Sequence, residues 1–586
     1  MTLGVRHQPR GAGSPRPRAG GRLGSVGWLT GLVVLAGVGY RLWLLWHAAP
    51  LTNSDEAAMG LAALHISRGE DFPVWFYGQQ YMGPLEAYLA APVFAVAGGP
   101  SLLGLRLPTL ALYALFLLLA WRLTLRLTGD RWFGLLVVAV LALGSDRLVK
   151  NQLIAGGGYP EMNAVGMALA VLAVDLATGR PGWRLARWTM WGFLAGLMLW
   201  VDPLVLPYVV AIGAVLVGYC HRELRGAAGA LLGAAAALGA APLLLDSLLT
   251  GRNPLDAVLA ASGANASAGW ADRLHGGLLL GPALGMGFCD PGRCAAWQLW
   301  WAVALPLLLV LAAATAWRTL RRAAAPALPA SSGAGGPGGV GPSADGPASA
   351  GGPASADGPA SVGGRGGAAA VPARVSAAIW LALVLAAVAT LGAYTVSSSA
   401  GLTPVESARY LSCLLISLPA LLWPVWASAR GGLRQSAGDR RGVGSALARP
   451  VALALLVATV GTAGQATWQA ARTAPATHAA EARHTELVAT LRQLGVRHVR
   501  AGYWTCNRLT FAAAEQVVCA VVDDALRPGF DRYPAYRREV DGAVAPAWVA
   551  PTGSPLAHTL DERLRAAPGS LDLVTIDGWR IYLPSA

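Results

Sequence analysis

Runs of roughly 17–25 apolar residues, the length a helix needs to cross a bilayer, alternate with short polar stretches along most of the chain. The first covers 28–46. Others fall at about 102–121, 132–145, 160–178, 188–201, 203–220, 227–245, 297–317, 375–396, 409–428 and 450–468. The pattern predicts about eleven transmembrane helices. A further run, 84–97, is too short to span and predicts a re-entrant or interfacial helix. A transmembrane barrel is excluded, because its signal is short alternating segments. From about residue 472 the pattern changes. Helical runs at 481–494, 508–515 and 556–567 alternate with short apolar stretches at 496–504, 517–522, 547–550 and 571–576. That alternation predicts a small, mostly parallel α/β domain over 472–586. Residues 323–373 are rich in Gly, Ala, Pro and Ser, and the heptamer at 343–349 returns at 355–361. Such a segment buries too little apolar surface to order itself and reads as a disordered linker.

Composition agrees with a chain that lives mostly in lipid. Of 586 residues, 55% are hydrophobic and 13% charged, against about a quarter charged in soluble domains. The net charge of +14 does not indicate nucleic acid, because the arginines sit in short loops between apolar runs, as basic cytoplasmic loops do. Residues 1–22 contain Arg6, Arg10, Arg16, Arg18 and Arg22 and no acid. The apolar run that follows is too long for a signal-peptide core. We read a basic cytoplasmic N-terminus over 1–22, an uncleaved first span, and a transmembrane domain over 23–471.

Alternation from an inside start places Arg122, Arg126, Arg131, Arg180, Arg184, Arg187, Arg222, Arg225, Arg318, Arg430 and the linker on the cytoplasmic side. It places the first loop, 50–101, and the tail domain outside. Abundant Ala, Gly and Arg with little Lys is the composition of a GC-rich bacterium, so the expected site is the bacterial cytoplasmic membrane. Cysteine usage accords with those sides. Cys220 and Cys413 lie in spans, whereas Cys289 with Cys294, and Cys506 with Cys519, share outside segments and read as disulfides. Zinc would need further ligands nearby, and none stand there.

Polar residues kept at helix ends on one membrane face are functional candidates. Four places on the outside face qualify: Asp55 and Glu56 after the first span; the loop with Tyr77, Gln80, Tyr81 and Glu86; Glu161 after a triple glycine; and Arg409 with Tyr410. Each has a plainer reading. Asp55, Glu56, Glu86 and Glu161 suit the first turn of a helix, and Arg409 could snorkel to the interface. In favour of chemistry is their convergence on one face.

An Asp-Glu pair opening a long first outside loop, an interfacial helix, and a later Arg-Tyr at a helix entrance resemble the GT-C superfamily of integral membrane glycosyltransferases. This is the fold of protein O-mannosyltransferases and of the lipid A aminoarabinose transferase. The resemblance implies transfer of a sugar from a polyprenyl-phosphate donor to an extracytoplasmic acceptor hydroxyl of a glycan, lipid or protein, with inversion. It implies Asp55 as general base, Glu56 beside it as an orienting or metal-binding partner, and Glu161 as a looser second acidic site. Arg409 and Tyr410, with Arg41 as a lesser candidate, would contact the donor phosphate. Tyr77, Gln80, Tyr81 and Glu86 would form the acceptor loop. No cofactor is certain, and a divalent metal held by Asp55 and Glu56 stays open. The His-Pro-Pro stretch of many mannosyltransferases is absent, which counts against a Ser/Thr protein acceptor. The tail carries no evident catalytic motif. The rival readings are a transporter or flippase of lipid-linked saccharides and a ligase or polymerase of the O-antigen type. Transporters often show inverted repeats, and none is visible here.

Overall fold

The computed structural model describes residues 24–253, 256, 267–324, 365–431 and 443–585. The basic N-terminus over 1–22 and residues 325–364 of the linker lie outside the described residues, while 365–373, read as linker, begin the helix Arg365–Val396.

The chain is a polytopic helical membrane protein carrying a small C-terminal sheet domain. Eight described helices are long and apolar enough to cross a membrane, or up to ten if two bent pairs each count as one span. The first elements are α1 (Ser25–Trp46), α2 (Ser54–Arg68), α3 (Leu85–Ala97), α4 (Leu102–Thr128), α5 (Arg131–Ala142), α6 (Asp146–Leu153), α7 (Tyr159–Ala177) and α8 (Arg184–Val201). α5 and α6 form one bent pair, turning by 93°. Leu206–Leu224 (α9), Ala227–Gly239 (α10) and Ala241–Thr250 (α11) follow, the last two bent by 64°.

The expectation of eleven spans differs from ten by α8. Arg184, Arg187 and several tryptophans lower its mean hydropathy, so composition does not mark it as a span. Packing nonetheless lays it alongside the spans. Its C-cap, Asp202, lines the same cavity as Tyr159 at the start of α7, so α8 retraces the depth that α7 descends. Small residues allow this. A Cβ on Gly196 would lie 1.9 Å from the Ala236 carbonyl oxygen, and one on Gly192 would lie 2.2 Å from that of Leu232. The backbones of α8 and α10 therefore touch directly, the close approach that small residues four apart permit in lipid.

One helix, Val443–Gln493, runs without a break from the bundle into the tail domain. Beyond it the sheet has the order β2-β1-β3-β5-β4, with β1 (His498–Ala501), β2 (Val518–Val521), β3 (Ala547–Pro551), β4 (Leu571–Ile576) and β5 (Trp579–Pro584). β1 pairs in parallel with β2 and β3, while β5 runs antiparallel to both β3 and β4. The sheet is therefore mixed, not mostly parallel. The departure is β5, which a two-residue turn at Asp577 and Gly578 folds back on β4.

The tail domain sits on the first loop. Buried residues of α2 and α3 share one apolar cluster with Phe511, Val518, Ala520, Tyr536 and Val540 of the tail. Gly60 permits the approach, since a Cβ there would lie 2.4 Å from the Phe511 ring. A polar clasp borders this contact. His65 bonds the Tyr77 hydroxyl through Nδ1 at 2.7 Å and Glu515 through Nε2 at 2.8 Å, and Arg68 pairs with the same Glu515. Burial alone would raise the Glu515 carboxyl, but hydrogen bonds from His65 and Tyr536 outweigh it and hold the group at about 2. The clasp therefore stays charged, and its stabilisation is lost only as pH falls toward that value.

Candidate functional site

α2 starts where it does because the Asn53 side chain accepts the Glu56 amide at 2.8 Å, an N-cap that fixes the first turn. Asp55 and Glu56 are consecutive on that turn, and a helix rotates by roughly 100° per residue, so they meet different surroundings. Asp55 faces a cavity of about 290 Å³. Glu56 is fully buried on the other side. It accepts Arg106 Nε and Nη2, both at 2.6 Å, and the Thr52 hydroxyl at 3.0 Å. This bidentate pair joins α2 to α4 and leaves Glu56 unavailable to a substrate, which corrects its assignment as a site residue.

Asp55 is held from the tail domain. Its Oδ1 accepts the Tyr503 hydroxyl at 2.6 Å and Arg532 Nη2 at 2.7 Å. Arg532 also donates Nε to the Tyr503 hydroxyl at 2.6 Å and Nη1 to the Tyr77 carbonyl at 2.8 Å. Burial, then the adjacent Asp55 charge, pushes the Tyr503 phenol up, so it remains a donor. Asp55 Oδ2 enters no hydrogen bond among the described residues, and the side chain is 21% exposed. One carboxylate oxygen is oriented and the other is open. With Glu56 sealed and Asp55 Oδ1 occupied, the pair offers a cation one open oxygen, too few for a site built by the protein alone. Among the described residues, one group has metal-ligand spacing: His65, Glu70 and Glu515. Both nitrogens of that histidine are already bonded in the docking clasp.

Arg409 lines the same cavity from the entrance of the Pro404–Ala429 span, with Tyr410 beside it. Its guanidinium lies 5.8 Å from the Tyr159 ring and 5.5 Å from the Tyr410 ring. Its Nε is buried without a partner, and no carboxylate lies within ion-pair distance among the described residues. Tyr81 and Gln79 line the cavity too, and the Gln79 Oε1 is buried and unpartnered. The structure thus brings Asp55, Tyr81, Arg409 and Tyr410 to one cavity.

The other expected site residues lie elsewhere. Arg41 is fully buried and donates to Gln152 Oε1 at 3.0 and 2.6 Å and to the Ala142 carbonyl at 2.9 Å, with its guanidinium 3.8 Å from the Tyr113 ring. It ties α1 to α6 and lies off the cavity wall. Gln80 is exposed and off the cavity wall. Tyr77 is buried, donating to Asp71 at 2.9 Å and bonding His65, so it belongs to the docking clasp. Glu86 makes no cap bond to its own helix among the described residues. Its Oε1 accepts the Gly157 and Gly158 amides at 3.1 and 2.7 Å. Those glycines are required, because their φ values of 128° and 79° are left-handed, and a Cβ on Gly157 would meet the Met82 sulfur at 2.3 Å. Glu161, one turn further on, is buried with both carboxylate oxygens unpartnered, and it is off the cavity wall.

Asp202 is a cavity residue that the sequence reading missed. It accepts the Leu204 amide at 2.8 Å. Burial, reinforced by Glu86, pushes its carboxyl up to about 7. A raised acid binds its proton more tightly in the folded state. Stability therefore falls as pH rises from the unfolded value, about 4, to about 7. Asp202→Asn keeps the cap and removes the titration. Its melting temperature should exceed that of wild type at pH 8, and the gap should narrow steadily as pH falls, closing only near pH 4. Equal gaps at both pH values would show that Asp202 does not titrate in this range.

Four further residues escaped the sequence reading. Arg147 and Lys150 stand on α6, which lay beyond the predicted end of a span at 145. Their i, i+3 spacing put them on one helical face, a signal that was available. Arg532 and Tyr503 lie in the tail and carried no local signal.

No family model matches the chain, and no curated protein matches it. Among solved structures it is similar to the Archaeoglobus fulgidus oligosaccharyltransferase in the apo form, at 11% identity and a TM-score of 0.46, covering 96% of this chain and 74% of that one. It is also similar to the oligosaccharyltransferase AglB of that organism in complex with an inhibitory peptide and a dolichol-phosphate. There the identity is 12%, the TM-score 0.44 and the coverage 96% and 74%. These are likenesses of outline.

Proposed function

We propose that the protein is a membrane glycosyltransferase of the GT-C type. It would move a sugar from a polyprenyl-phosphate donor to an extracytoplasmic acceptor hydroxyl, with the cavity end of the bundle outside the cytoplasmic membrane. The observation that carries this reading is the pairing, across one partly apolar cavity, of a carboxylate with one open oxygen and an arginine with no anionic partner. The acceptor oxygen attacks the anomeric carbon as the bond from that carbon to the phosphate oxygen breaks. The phosphate leaves with the bonding electrons, and the acceptor proton passes to Asp55 Oδ2. Arg409 neutralises the phosphate charge as it develops, where low dielectric strengthens the contact. A polyprenyl phosphate is a good enough leaving group to need no general acid. The aromatic wall of Tyr81, Tyr159 and Tyr410 suits a sugar ring.

The test uses the full chain in lipid vesicles with polyprenyl-phosphate sugars of several kinds and a mixed pool of envelope glycans and lipids. Released polyprenyl phosphate and an anomer inverted relative to the donor are expected. Retained configuration would remove the single-displacement mechanism. A reporter active only outside the cytoplasm, fused after Ala586, should be on, and silence there would reverse the orientation.

A further inference from the structure

Next to the cavity beside Asp55 lies a smaller one of about 30 Å³, walled by Asn53, Asp55, Arg147, Lys150, Tyr159 and Arg409 among others, which forms a neck in position between it and a second cavity of about 270 Å³. The neck shares Asp55, Tyr159 and Arg409 with the first cavity, and Arg147 and Lys150 with the second. Arg293 lines the far side of the second cavity, on the loop that the Cys289–Cys294 disulfide closes.

The charges here are unbalanced. Arg147, Lys150, Arg293 and Arg409 make no ion pair among the described residues, whereas Asp55, the one acid at the neck, is already paired with Arg532. Asp146 and Asp290 also line the second cavity. Asp290 faces the first amides of α6, and burial pushes its carboxyl up to about 6; even with both acids ionised, Arg147, Lys150 and Arg293 leave the second cavity one positive charge in excess. Three cations around one neck repel one another unless an anion sits between them. A sugar phosphodiester carries one negative charge and a sugar diphosphodiester carries two.

Resting on the transferase reading, we propose that the donor is a polyprenyl diphosphate sugar. The phosphate attached to the sugar would lie at Arg409 and the second phosphate between Arg147 and Lys150, with Arg293 beyond it. The bond broken is still the one from the anomeric carbon to the first phosphate oxygen, and the leaving group is a polyprenyl diphosphate.

The experiment measures binding of farnesyl diphosphate and farnesyl phosphate to the full-length protein in detergent, by calorimetry at physiological salt. Farnesyl diphosphate should bind about tenfold more tightly, the return of one to two added charge-assisted contacts. Lys150→Gln, and separately Arg147→Gln should the first variant misfold, should reduce that ratio to below about threefold. Inorganic pyrophosphate should compete with farnesyl diphosphate, which separates recognition of the phosphates from uptake of the prenyl chain. Equal affinity for the two lipids in the wild type, or a ratio that survives both substitutions, would overturn the second phosphate while leaving a monophosphate donor standing. Binding of neither lipid would overturn the transferase reading as well.

Discussion

Asp55→Asn should slow sugar transfer by ~10²–10⁴, the usual cost of losing a general base, while the protein stays folded and still binds donor. Asn keeps an oxygen where Oδ1 accepts Tyr503 and Arg532, so the geometry of the contact survives. It removes the charge and the basic lone pair on the open side. The helix start is untouched, because Asn53 is the cap and Asp55 is not. If Asp55 only favoured the helix N-terminus, the loss would be a few tenths of a kcal/mol of stability and nothing in rate. The measurement is single-turnover transfer beside donor binding, with melting temperature as the check on folding. Transfer at the wild-type rate would take Asp55 out of the mechanism. Glu56→Gln should behave differently. It leaves Arg106 as a buried charge with a weakened partner, and should lower stability by about 2 kcal/mol or more before it touches the rate.

Arg532→Ala should lower transfer by about 100-fold, the cost of letting a reacting group drift by about an ångström. It removes the donor to Asp55 Oδ1, the donor to the Tyr77 carbonyl and the partner of the Tyr503 hydroxyl in one step. Stability should fall as well, by about 2 kcal/mol, less than for a sealed pair because Asp55 is 21% exposed. A positioning role predicts a fall in kcat with donor affinity nearly kept, and partial rescue by Arg532→Lys. A merely structural role predicts that rate and stability recover together once the tail is docked again by a stabilising additive. If Arg532→Ala transferred faster than wild type, the ion pair would be a lock on Asp55 and not a brace.

Much of this architecture could be read from local pattern, because membrane insertion is a local criterion. A span announces itself by about twenty apolar residues whatever it packs against. The same locality gave most of the tail's helix and strand order, missing the helix Pro534–Asp541 and β5, as well as the short helix at Leu85–Ala97 and the cysteine pairs that the structure joins as Cys289–Cys294 and Cys506–Cys519. It also picked out Asp55, Tyr81, Arg409 and Tyr410, which are polar side chains kept at helix ends where burial in lipid would be costly.

Local pattern could not say which of two adjacent acids faces the cavity. That depends on Arg106, which lies fifty residues on and claims Glu56. Nor could it distinguish the unpaired Arg409 from Arg41, because both are arginines near a helix end. Only packing shows that Gln152 and Ala142 satisfy one of them. Arg532 was the least legible of all, 477 residues from the carboxylate it holds. A contact of that separation leaves no periodicity in the chain, and exists only because the tail domain buries Phe511 and Tyr536 against α2 and carries the arginine in with them.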